Sequence, residues 1–97
     1  MKIRRGRTFG DYTSEFFVYL EKEYTVEEFI KEIFLLYKLN RGELKIKDNN
    51  KKEIKTYRYS ENVIKDDIID KNILSQKIKW VDAHGCYSLM NYTIYLV

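Results

Sequence analysis

The sequence contains no proline, one cysteine (Cys86), one histidine (His84), one alanine and four scattered glycines in 97 residues. Each scarcity excludes something. A lone cysteine cannot close an internal disulfide, which fits a reducing compartment and predicts a cytoplasmic protein. His84 and Cys86 are the only soft ligands, and two ligands do not close a zinc site. The spread of the glycines leaves no phosphate-cradling loop. No apolar run approaches the roughly 20 residues of a membrane span. The basic opening Met1–Arg5 is followed by no apolar stretch, so no secretory leader is expected. A chain of this length buries roughly 60–65% of its unfolded surface. That allows one core, hence a single domain over residues 1–97, and little depth for an enzyme cleft.

What is present is charge and aromatic surface. Charged residues make up 34% and hydrophobic ones 44% of the chain, a globular balance. Lysine far outnumbers arginine, and Ile, Asn and Tyr are abundant. Those residues have A/T-rich codons, which points to a low-GC bacterium or one of its phages. The net charge of +3 conceals segregation: residues 1–10 carry +4, residues 11–32 carry −5, and residues 38–58 carry +5. Two basic blocks flanking an acidic one make a dipolar molecule if the fold keeps them apart.

One helix is explicit. Thr25-Val-Glu-Glu28 is a capping box, with Tyr24 and Phe29 at the staple positions. Glu27 and Glu28 suit the positive end of the helix dipole. Val26, Phe29, Ile30, Ile33, Phe34 and Tyr37 recur at helical spacing, and Gly42 reads as the stop. These signals predict a helix over about 25–39.

The rest reads as strands at about 2–8, 13–21, 43–48, 52–59, 77–82 and 91–97, with a short helix or turn over 66–75. Asp48-Asn-Asn-Lys51 supplies a turn. A three-residue loop there, Asn49 to Lys51, pairs Ile46 with Ile54 and Leu44 with Thr56, keeping the apolar residues on one side. That parity sends Tyr57 and Tyr59 to the opposite face. The expected architecture is α+β: a mixed or antiparallel sheet of about six strands with one main helix, in a β-grasp-like element order.

Chemical motifs are sparse. His84 and Cys86 at i, i+2 suggest a Cys–His pair with Asp82 near in sequence, but nothing supplies an obvious orienting group or oxyanion hole, and a hairpin loop that contains both residues is the simpler reading. Asp66-Asp67 reads as a helix start. No catalytic, cofactor or metal residues are assigned, and no enzymatic activity is expected.

The stretch before the last strand carries Gly85, Tyr87, Ser88 and Met90-Asn91-Tyr92. This pattern resembles a segment of short uncharacterised proteins from low-GC Gram-positive bacteria and their phages. By type, the chain resembles anti-CRISPR and related anti-defence proteins: small, one domain, with no catalytic constellation.

Three functions compete. The first is a non-enzymatic inhibitor, anti-CRISPR-like, that binds a host macromolecule by protein–protein contact. The second is a nucleic-acid-binding domain, with Arg4, Arg5 and Arg7 of the first strand and Lys45, Lys47, Lys51, Lys52, Lys55 and Arg58 neutralising phosphates while Tyr57 and Tyr59 stack on bases. The third is a nucleotide-signal binder using His84, Tyr87, Ser88 and Asn91 as a recognition loop. The strands at 13–21, 52–59 and 91–97 carry apolar residues on both faces, yet one helix covers one face. Either the 66–75 segment, aided by Trp80, covers the second face, or that face stays open. In the open case Phe17, Tyr19, Tyr57, Tyr59 and Tyr95, edged by Lys45, Lys47 and Lys55, contact a partner or a second copy of the chain.

Overall fold

Period-two alternation carries most of the chain into one sheet. The computed structural model describes residues 1–10, 13–36, 40–61, 63–64, 69–86 and 88–97. In chain order the elements are β1 (Lys2–Thr8), β2 (Ser14–Tyr19), α1 (Val26–Leu36), β3 (Arg41–Lys47), β4 (Glu53–Ser60), β5 (Val63–Ile64), α2 (Lys71–Leu74), β6 (Ile78–Cys86) and β7 (Leu89–Leu96). The strands form one seven-stranded sheet in the order β1-β2-β6-β7-β3-β4-β5. Every neighbouring pair is antiparallel except β3 with β7, which run parallel. The fold is therefore α+β with a mixed sheet and one main helix. It has one strand more than expected, because the two-residue β5 is too short to show any periodicity.

The helix signals work as chemistry predicts. The Glu28 N–H donates to Thr25 Oγ1 (3.2 Å) and the Thr25 N–H to Glu28 Oε1 (3.2 Å), closing the capping box. Tyr24 and Phe29 are both buried beneath it, as are Val26, Ile30 and Ile33. Helix α1 runs to Leu36; the last predicted turn, 37–39, lies outside the described residues. Gly42 is not the helix stop. It belongs to β3, where a Cβ would sit 1.9 Å from the Met90 carbonyl oxygen, so only glycine fits.

Helix α1 packs on the face of the sheet formed by Phe16, Leu44, Ile46, Tyr57, Tyr59, Val81, Ala83, Met90, Tyr92 and Ile94. Phe29 meets Tyr92 edge-on at 5.5 Å between centroids.

Tyr57 and Tyr59 are on this inner face because of one residue. The Asp48–Lys52 turn has the expected three-residue loop, with Asp48 N–H donating to Lys52 O (2.9 Å) and Lys51 at φ 63°. Between Lys47↔Glu53 and Ile46↔Lys55, however, Ile54 is a bulge with no partner of its own. The register beyond it slips by one, so Leu44 faces Tyr57 rather than Thr56, and every later side chain of β4 changes face. Tyr57 and Tyr59 enter the core, Thr56 and Arg58 take the other face, and Ile54 is left exposed at the bulge.

The described part of the 66–75 segment, residues 69–75, does not cover the second face. Residues 65–68 lie outside the described residues, and α2 packs beside α1 on the same face: Ile69 belongs to the core, and Ile73 and Leu74 pack against it. The Val26 N–H donates to Gln76 O (3.0 Å) and the Ile78 N–H to Tyr24 O (2.8 Å), tying the two helical segments together. Among the described residues, nothing covers the opposite face of the sheet.

Candidate binding face of the sheet

The uncovered face is organised in rows that follow strand pairing. One row runs Arg4–Phe17–Asp82–Thr93–Lys45–Thr56 across β1, β2, β6, β7, β3 and β4. A second contains the pair Lys2–Tyr19 on β1 and β2, and Trp80–Tyr95–Lys47–Glu53 on β6, β7, β3 and β4. A third holds Glu15 opposite His84 and His84 opposite Asn91.

Aromatic rings occupy the middle of the first two rows. Phe17 is 48% exposed, Tyr19 51% and Trp80 40%. Trp80 and Tyr95 stack face to face, with centroids 4.0 Å apart and planes 4° from parallel. Lys47 Nζ lies 5.6 Å from the Tyr95 centroid, adding a cation to the same stack.

Trp80 reaches this face through a second irregularity. In a regular strand Ile78 and Trp80 would point the same way. The register shifts between them, so Ile78 is buried under the helix side while Trp80 stands on the open face and Val81 returns to the core. The expectation that Trp80 helps to cover the face is thus reversed: its ring is part of the exposed surface.

At one corner, Tyr19 and Trp80 line a cleft of about 600 Å³ together with Lys2, Lys79, Val18, Leu20, Met1 and Glu21. Glu21 is tied up at its rim. Its carboxylate accepts from the Met1 amine (2.5 Å) and from the Tyr24 hydroxyl, and the same amine lies 3.5 Å from Glu32. These contacts pull the Glu21 carboxyl down to about 2 and raise the amine and the Tyr24 phenol. With Glu21 neutralised by the amine, Lys2 and Lys79 give the cleft a positive character.

The remaining acids of the face are mostly matched. Glu53 lies 3.6 Å from Lys45, Glu43 3.9 Å from Arg58, and Glu15 4.0 Å from Arg7. Asp82, between the aromatic rows, is pushed above the usual carboxylate range, first by desolvation and then by Glu15, with His84 and Lys47 opposing.

The predicted site residues separate accordingly. Phe17, Tyr19, Tyr95, Lys45 and Lys47 lie together on the open face. Tyr57 and Tyr59 are core residues, 3% and 2% exposed, and are not part of the open face. Lys55 faces the helix side, opposite Ile46, with its Nζ 5.9 Å from the Tyr57 ring. Arg4 is on the open face beside Phe17, whereas Arg5 turns to the other side, 5.9 Å from the Phe16 ring. Arg7 lies over Phe9 at 5.0 Å.

The recognition loop expected over 84–91 is largely strand. His84 and Asn91 are cross-strand partners, and Asn91 Oδ1 accepts the Glu43 N–H (3.0 Å), stitching β7 to β3. Ser88 Oγ lies 3.2 Å from Cys86 Sγ, and that hydrogen bond lowers the thiol pKa. Tyr87 lies outside the described residues. No group of three or more His, Cys, Asp or Glu side chains is gathered among the described residues. Nor is any helix there long and apolar enough to cross a membrane.

Lys2, Lys79 and Trp80 are the site residues that sequence reasoning missed. Strand alternation alone could have placed Lys2 beside Arg4 on one face; no sequence signal marks the bulge before Trp80. No protein-family model matches the chain, and no curated protein or solved structure matches it.

Proposed function

We propose that this chain is a non-enzymatic binding protein whose working surface is the uncovered face of the sheet. The observation that carries the reading is the aromatic row of exposed Phe17, Tyr19 and Trp80 with half-buried Tyr95, flanked by Lys2 and Arg4 on β1 and by Lys45 and Lys47 on β3. From β1 to β3 the row crosses four inter-strand gaps, about 19 Å at the usual spacing. Contiguous apolar rings with a charged rim mark contact surfaces.

The partner is a host macromolecule, met in the cytoplasm. Size, A/T-rich composition and the Gly85–Tyr92 pattern support a phage or mobile-element origin, with anti-CRISPR-like inhibition as its setting. The β-grasp likeness is one of element order and adds nothing to this reading.

The test is partner capture in a Gram-positive host with crosslinking, identifying both protein and nucleic acid. Wild type is compared with Phe17→Ser/Tyr95→Ser and with a control on the helix face, Lys31→Ala. Loss of the captured partner in the sheet-face variant alone supports the reading. Equal capture by all three proteins sinks it. A second copy on the face would appear as a concentration-dependent mass in light scattering.

A further inference from the structure

The cleft between Tyr19 and Trp80 has features that specify a ligand class. One face of the indole is already taken by Tyr95, whose own ring is approached by Lys47. Beyond Trp80, the cleft of about 600 Å³ has a second exposed ring, Tyr19, and two lysines, Lys2 and Lys79, in its lining. Lys2 is paired directly with Tyr19 across β1 and β2, so cation and ring share one position in the sheet. The carboxylate at the rim, Glu21, is occupied by the Met1 amine and the Tyr24 hydroxyl and does not oppose an anion. Val18 and Leu20 give the cleft an apolar side.

Flat rings, an apolar wall and two lysines fit a planar, weakly polar group that carries a phosphate. We propose that this cleft takes a nucleobase, stacked on the side of Trp80 away from Tyr95 and bordered by Tyr19, with its phosphate on Lys2 and Lys79. The inference rests on the open face being the working surface and names its occupant. A single strand continues the arrangement: the next phosphates meet Arg4, and Phe17, one pleat along β2 from Tyr19, offers a further ring. Stacking on exposed rings is sequence-tolerant, since every base has a π-face. A protein partner would use the rings but has no need of two lysines around a slot this size.

Trp80 is the only tryptophan, so its fluorescence reports the site directly. The full chain is titrated with the oligonucleotide dT8 and, separately, with thymidine monophosphate. Saturable quenching by dT8 is expected, weakening with salt. Tyr19→Ala should weaken binding by about tenfold, in line with base–aromatic stacking elsewhere. Lys2→Gln/Lys79→Gln should flatten the logarithmic salt slope by about 0.7, one phosphate at the single-strand value. Tyr19 and both lysines are exposed, and circular dichroism confirms that the variants fold.

Tight binding of dT8 with weak binding of the monophosphate identifies a strand. Equal affinity per site identifies a free nucleotide. Either supports the slot. Absence of quenching by both, or quenching unchanged in Tyr19→Ala and in the lysine variant, overturns it. If no nucleotide binds while Phe17→Ser/Tyr95→Ser still loses its partner, the face stands as a contact surface, its occupant is a protein, and only the nucleobase assignment fails.

Discussion

The hydroxyl of Tyr59 donates to the main-chain carbonyl of Met90 from a side chain that is 2% exposed. Gly42 is the cross-strand partner of Tyr59, and a Cβ there would fall 1.9 Å from that same carbonyl oxygen. The missing side chain of one residue thus lets β4 bond to β7 past the strand between them. Tyr59→Phe should cost about 0.5–1.5 kcal/mol, the net worth of one hydrogen bond, and Tyr59→Ala about 3–5 kcal/mol, read from urea unfolding. Burial raises the Tyr59 phenol above its ordinary value. A group whose folded pKa is raised contributes stability below the unfolded value and loses it as pH rises, so stability should fall above about pH 10. Tyr59→Phe should be less alkali-sensitive than wild type.

The bulge at Ile54 gives the second prediction. Deleting Ile54 removes the extra residue and leaves Lys55, Thr56 and Tyr57 opposite Ile46, Lys45 and Leu44, so Tyr57 and Tyr59 should stay in the core and unfolding should remain cooperative. Ile54→Ser keeps the residue count and exchanges an exposed side chain, and should stay within about 0.5 kcal/mol. Near-ultraviolet circular dichroism checks both. A deletion variant that loses the native tyrosine signal would contradict the assignment of Ile54 as the unpaired residue.

These two bulges also explain which parts of the fold were legible in the sequence. The capping box, the staple and the apolar stripe of α1 are local, and they read correctly as far as Leu36. The three-residue turn at Asn49–Lys51 is local too. A bulge is not: Ile54 and the shift before Trp80 arise because the core admits Tyr57, Tyr59 and Val81 better than the alternatives. One inserted residue then inverts all the side chains that follow it. That is why Tyr57, Tyr59 and Lys55 change face relative to simple alternation, while Phe17, Tyr19, Lys45, Lys47 and Tyr95 hold theirs. The stretch 84–91 read as a loop because Gly85 and Ser88 resemble turn residues; pairing with β2 and β7 extends it as strand through Cys86.

In the helix, Ile33 is 1% exposed at mid-face. Ile33→Ala should cost about 2–5 kcal/mol, and Thr25→Ala about 0.5–2 kcal/mol through loss of the cap. Chemical denaturation decides both; an Ile33→Ala cost below about 1 kcal/mol would contradict the packing of α1 described above.

Acid sensitivity should centre on Glu21. Its carboxyl is held down to about 2 first by the Met1 amine and then by the Tyr24 hydroxyl. A depressed folded pKa contributes stability that is complete above the unfolded carboxylate range and lost as pH falls toward the folded value. The loss should therefore run from about pH 4.5 down to 2, with Glu28, lowered by its bonds to Thr25, adding in the same direction. Glu21→Gln should flatten the thermal-stability profile over that window. An unchanged profile would show that the amine–carboxylate contact contributes nothing.

The position of β7 has a consequence for how the protein is made. Residues 89–96 form an inner strand, parallel to β3 on one side and antiparallel to β6 on the other. Without them the sheet divides into β1-β2-β6 and β3-β4-β5, neither of which has the ridge of Met90, Tyr92, Ile94 and Leu96 against which α1 packs. During synthesis the nascent chain must hold the apolar face of α1 without this ridge until Leu96 has cleared the ribosome. The parallel closure onto β3, more than forty residues upstream, then makes assembly a late and slow event. Premature termination before Leu89 would release a product with both half-sheets exposed, which cells clear by proteolysis or lose to aggregation.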